Sequence, residues 1–82
     1  MTFKDTIELM KSSDYQDRFK AEYMQTYIRY KKLQETIIKL KSGTSEFRPK
    51  CPISVLEQQK QHMVDYLKCL ELRAEIEGVR LV

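Results

Sequence analysis

The chain has 82 residues, 41% hydrophobic and 33% charged, with a formal net charge of +3. That balance excludes a disordered chain and leaves room for one domain, residues 1–82, with a core near the lower limit for independent stability. A charge of +3 favours anionic partners only mildly, and no apolar run approaches the roughly 18 residues that a membrane span needs.

The first eleven residues, MTFKDTIELMK, carry an acidic residue and lack a continuous apolar stretch, so they do not read as a signal peptide. They predict a short helix over about 2–11, with Thr2 as cap and Asp5 three residues later. Phe3, Ile7 and Met10 give it one apolar side, enough to dock but not to stand alone. Ser12-Ser13-Asp14 breaks this helix and starts a long one over about 13–41, with Ser13 and Gln16 at capping-box spacing. No Gly or Pro interrupts it, and Gly43 can take the left-handed position that ends it. Phe19, Tyr23, Thr26, Tyr30, Leu33, Ile37 and Leu40 follow at steps of four and three and share one face.

Pro49 and Pro52 exclude helix from the segment 42–53, which reads as an extended, turning loop. Phe47 within it is expected to plug the core beneath, with an exposed binding residue as the other reading. Ser54 and Glu57 form an S-x-x-E capping box, predicting a second long helix over about 54–77 that stops at Gly78. Its apolar stripe is Leu56, Met63, Tyr66, Leu67, Leu70 and Ala74, with Gln59 in the same row. The tail over 78–82 is open between pairing and docking in an oligomer.

The expected fold is therefore all-α: an antiparallel hairpin of two long helices with a short N-terminal helix. A hairpin buries one face of each helix and leaves Met24, Tyr27, Ile28, Ile38, Val64 and Ile76 off the seam. So much exposed apolar surface implies a symmetric homo-oligomer with these residues at the subunit contacts.

Little in the sequence suggests catalysis. His62 is the one histidine, and Cys51 and Cys69 lack metal-ligand spacing, reading as free thiols in a reducing cytoplasm. The carboxylates Asp14, Asp17, Glu22 and Glu35 sit beside Arg18, Lys31 and Lys39 as ordinary helix-surface ion pairs, and Glu71 and Arg73 read the same way. The expectation is a binding protein without catalytic residues, metal or cofactor. Four of five tyrosines (Tyr15, Tyr23, Tyr27 and Tyr30) lie in the first half of the long helix among Arg18, Lys20, Arg29, Lys31 and Lys32. Either the rings pack a wide interface with their hydroxyls at its wet edge, or one or two stack on bases while cations hold phosphates. Arg18 and Arg29 suit the second role, because a guanidinium both stacks and grips phosphate bidentately.

The order Arg18-x-x-x-Glu22, Arg29-x-x-Lys32-Leu33 and Ile37, then Gln59-x-x-x-Met63-x-x-Tyr66-x-x-x-Leu70-x-x-Arg73 after the loop, resembles a known family. These are the small phage-encoded helical-hairpin proteins that act as anti-CBASS and anti-Thoeris sponges, and the resemblance spans roughly residues 14–77. It implies immune evasion in the cytoplasm of an infected bacterial host. Cyclic dinucleotide messengers are held without being cleaved; some members also take cyclic trinucleotides at a separate site, and a related branch takes cyclic ADP-ribose isomers. It further implies a symmetric oligomer, a hexamer in the anti-CBASS branch, with ligand pockets between protomers. The roles it carries over are a tyrosine and a lysine around the base, here Tyr15 and Lys32, and a late arginine used for trinucleotides, here Arg73. The rival reading is a hairpin adaptor that binds a host or phage protein through its tyrosine-rich face. A weaker one is a small nucleic-acid-binding protein using the stripe from Arg29 to Lys32.

Overall fold

The computed structural model describes residues 2–81, so Met1 and Val82, the last residue of the 78–82 tail, lie outside it. Three helices and no strand are present among the described residues: α1 (Phe3–Lys11), α2 (Tyr15–Ser42) and α3 (Ile53–Glu77). The Thr2–Asp5 capping box at the start of α1 is formed in both directions, as its spacing predicts. Gly43 and Gly78 both adopt the left-handed conformation just past their helices, at φ 77° and 73°.

Two starts differ from expectation. The carboxylate of Asp14, not the hydroxyl of Ser13, caps α2 by accepting from the Gln16 N–H at 2.9 Å. The reason lies next door: the Ser12 hydroxyl accepts from the Asp14 N–H (3.0 Å) and donates to Asp17 (2.8 Å), which fixes Asp14 in the capping position. The predicted Ser54–Glu57 box does not start α3. The helix begins at Ile53 with Pro52 as cap, whose carbonyl accepts from the Val55 and Leu56 N–H groups. Pro52 keeps an extended ψ of 149° and has no capping side chain, so its carbonyl starts the helix one residue before Ser54 could cap it. Glu57 is drawn across the hairpin into an ion pair with Lys41.

The two long helices run antiparallel, with Lys41 beside Glu57 at one end and Tyr15 beside Glu77 at the other. Across the seam Phe19 of α2 packs against Leu70 and Ala74 of α3, and Ile37 and Leu67 are buried as well. The rest of the predicted α2 row (Tyr23, Thr26, Tyr30, Leu33 and Leu40) is half-buried. Thr26 and Thr36 turn their hydroxyls back onto the carbonyls of Glu22 and Lys32 instead of packing across. Val79 folds back behind Gly78, its N–H bonded to the Ala74 carbonyl at 2.8 Å. Its side chain completes the cluster of Phe19, Leu70 and Ala74. The start of the tail thus docks on its own hairpin.

Helix α1 packs on the other side of α2 and makes no comparable contact with α3 among the described residues. Its contact is partly polar. Ala21 and Thr6 are both fully buried there, and the Thr6 hydroxyl donates to the Phe3 carbonyl and accepts from Gln25 Nε2. Phe47 is 64% exposed, so the loop is not a plug; the Ser45 hydroxyl ties its own backbone instead. The whole is elongated. Its radius of gyration is 15.0 Å, where a compact domain of this length has about 12 Å. Its accessible surface is 6203 Å², against about 5,200 Å² for a compact monomer of the same mass.

Candidate functional site

Tyrosine hydroxyls need a partner when their rings are drawn into an interface. Here each bridge across the hairpin ends on a carboxylate. Tyr15 donates to Glu77 at 2.8 Å and Tyr23 to Glu71 at 2.7 Å, while the Tyr66 hydroxyl of α3 lies near Glu22. Burial, then the bond to Glu71, pushes the Tyr23 hydroxyl up to about 12. The Glu22 carboxylate nearby raises Tyr66 in the same direction. Glu71 is thus a partner in the seam and not an idle surface residue.

The Tyr15 bridge is the most elaborate because an arginine joins it. Arg73 lies one turn before Glu77 on α3, and its Nε donates to Glu77 Oε2 at 3.1 Å. Its Nη2 donates to the Tyr15 hydroxyl at 2.7 Å. The guanidinium stands 5.0 Å above the ring of Phe19, which in turn meets the Tyr15 ring edge-on at 6.1 Å. Phe19 itself is locked in the core, so it gives the cation a rigid aromatic floor. The charges respond accordingly. The bond to Glu77 raises the Tyr15 hydroxyl and holds the Arg73 guanidinium more firmly protonated. Glu77, bonded by Tyr15 and then Arg73, is lowered below the usual carboxylate range.

This cluster forms one wall of an open cleft of about 530 Å³, lined by Met10, Tyr15, Arg18, Phe19, Glu22, Gln25 and Arg73. All three helices contribute. Arg18 is anchored by its Nη1 to the carbonyl of Ser12 at 3.0 Å, where a cation suits the negative end of α1. The cleft therefore offers a stacked guanidinium, a second guanidinium, a phenol and an amide around an aromatic base, with the Glu22 carboxylate also on its wall; its cations and rings suit anions and flat rings.

Of the five residues singled out from the sequence, Tyr15, Arg18 and Arg73 meet in this cleft. Arg29 does not line it; its guanidinium lies 5.1 Å above the ring of Phe3, engaged with α1. Lys32 is exposed further along α2, about 25 Å from Tyr15 at 1.5 Å per residue over 17 positions. One chain cannot close Tyr15 and Lys32 around a single small ligand. The sequence reading missed Glu77, Gln25 and Met10. Arg73–Glu77 spacing of four residues was the available signal for the first.

No curated protein and no solved structure matches the chain. A family model described as Sequestin matches residues 13–76. The match takes in both long helices and the loop between them, with Tyr15, Arg18, Phe19 and Arg73, and leaves α1 and Glu77 outside. Covering most of the chain and the centre of its cleft, it shows that this protein belongs to the Sequestin family.

Proposed function

We propose that this protein binds cyclic oligonucleotide messengers and sequesters them without cleaving them, as a symmetric homo-oligomer. Cyclic dinucleotides are the first candidates, with cyclic trinucleotides and cyclic ADP-ribose isomers next. The setting is the cytoplasm of an infected bacterial host, where a phage-encoded sponge draws a CBASS- or Thoeris-type signal away from its effector. The family name denotes sequestration. The observation that carries the reading is the Arg73 guanidinium stacked on Phe19 and bonded by Tyr15 at the rim of an open cleft. A ring can stack there while phosphates meet Arg73 and Arg18.

Two features favour assembly. The elongated hairpin exposes about 1,000 Å² more than a compact monomer, including Tyr27, Ile38, Leu72 and Ile76. If Tyr15 and Lys32 serve one ligand, their separation on α2 requires two protomers. A hexamer is the count the resemblance implies. Sequestration needs affinity and slow release, and a rigid preformed pocket supplies both. Competing with a nanomolar receptor takes roughly −12 kcal/mol.

A melting panel of cyclic di- and trinucleotides, cyclic ADP-ribose isomers and their linear counterparts tests this, with the oligomer's mass measured in parallel. A specific ligand at a hundred times its Kd adds about 2.7 kcal/mol of stability. Tyr15→Ala should abolish the shift and leave the oligomer intact. A flat panel with folded protein refutes the reading. It would favour the adaptor alternative, for which the stacked Tyr23 and Tyr27 beside Val64, Leu67 and Lys68 provide the face.

A further inference from the structure

Both oxygens of the Glu77 carboxylate are occupied, one by the Tyr15 hydroxyl (2.8 Å) and one by Arg73 Nε (3.1 Å). These are the contacts that two oxygens of a phosphate would make with the same donors. The Nε–Nη2 edge of the guanidinium, the edge that grips an oxyanion bidentately, is filled by Glu77 and Tyr15 together. We propose that Glu77 is a resident anion that holds the ligand's phosphate seat in the free protein and is displaced when ligand binds. This deepens the sequestration reading and rests on it for the identity of the site.

Position supports the assignment. Glu77 is the last residue of α3, and the final turn of that helix carries no basic residue. A carboxylate there sits at the negative end of the helix dipole and is disfavoured by it. Among the described residues Tyr15 and Arg73 hold it, and its side chain is exposed enough to swing away into water. The left-handed Gly78 follows at once, so α3 ends there and no further turn covers the carboxylate. Displacement keeps the donors in place: Arg73 stays over Phe19, and Tyr15, already donating, turns its O–H to the incoming oxygen. Glu77 thus pre-orders the seat and weakens binding to it, favouring ligands whose charge exceeds that of one carboxylate.

The test is Glu77→Gln, which keeps shape and removes charge. Pyrophosphate is the probe, titrated while the Arg73 Nε–H resonance is followed by NMR, and ligand-free melting confirms the fold. E77Q should bind pyrophosphate about tenfold tighter than wild type, since a charged acceptor no longer competes for the donors. Arg73→Gln should abolish binding in both backgrounds. Affinity in E77Q equal to or below that of wild type, including no binding to either chain, overturns the proposal; Glu77 would then act only to order Arg73. The functional reading fails separately, on a flat cyclic-nucleotide panel in both chains.

Discussion

Leu70 is 1% exposed and sits at the centre of the cluster formed by Phe19, Ala74 and Val79. Leu70→Ala removes three carbons there. Its neighbours Phe19, Ala74 and Val79 are themselves packed in the seam, so a cavity remains where they do not close in. Such losses cost about 3 kcal/mol, in a range of roughly 2–5. A chain of 82 residues has roughly 4–12 kcal/mol to lose, so this one change removes a quarter or more of it. Melting should fall by about 12–24 °C. Two residues on, Leu72 is 63% exposed and its replacement by Ala in an isolated hairpin changes stability by about 0.5 kcal/mol or less. The assay is urea unfolding followed by helix circular dichroism at two protein concentrations, with m-values compared. Leu70→Ala should cost the same at both. If Leu72 lies at a subunit contact, Leu72→Ala should cost more than the isolated value and weaken the concentration dependence. A loss below about 1 kcal/mol for Leu70→Ala, at unchanged m, would refute the seam described above.

Other expectations follow from the caps and the tyrosines. Asp14→Ala should destabilise by about 1 kcal/mol, whereas Ser13→Ala and Ser54→Ala should be neutral within error by thermal melting. The reverse pattern would restore the caps that spacing alone suggests. Tyr23, pushed up to about 12, should ionise last in an absorbance titration of the phenols, and Glu71→Gln should bring it down. The sign is that of a raised folded-state value. Its contribution to stability is complete below pH 10 and is lost as pH rises towards 12. A Tyr23 that titrates with the exposed phenols would contradict the bridge.

The helices were legible because Gly and Pro are scarce and fall only at the breaks, and because the apolar steps of three and four persist through both long segments. The Thr2–Asp5 box was legible because nothing competes for it. Asp14 was not: Ser12-Ser13-Asp14 offers three capping side chains, and the winner depends on Asp17 engaging Ser12. Ser54 failed for a related reason, since the proline two residues earlier starts the helix and Lys41 takes Glu57 from across the hairpin. In the site, Tyr15 and Arg73 could each be suspected, but periodicity carries no register between helices. Nothing in the sequence alone sets one opposite the other with Glu77 between them.

Ser12 has one more consequence. Its N–H closes α1 on the Leu9 carbonyl, its hydroxyl orders the start of α2, and its carbonyl holds Arg18 of the cleft. At nine residues α1 is too short to persist once it leaves α2. When it lets go, it takes the Met10 wall of the cleft with it and loosens the Ser12 carbonyl that restrains Arg18. Fraying of the first helix and freeing of a cleft arginine are then a single cooperative event. Amide exchange through α1 and the reorientation of Arg18 should then share one clock, set by the docking of Thr6 and Phe3 on α2.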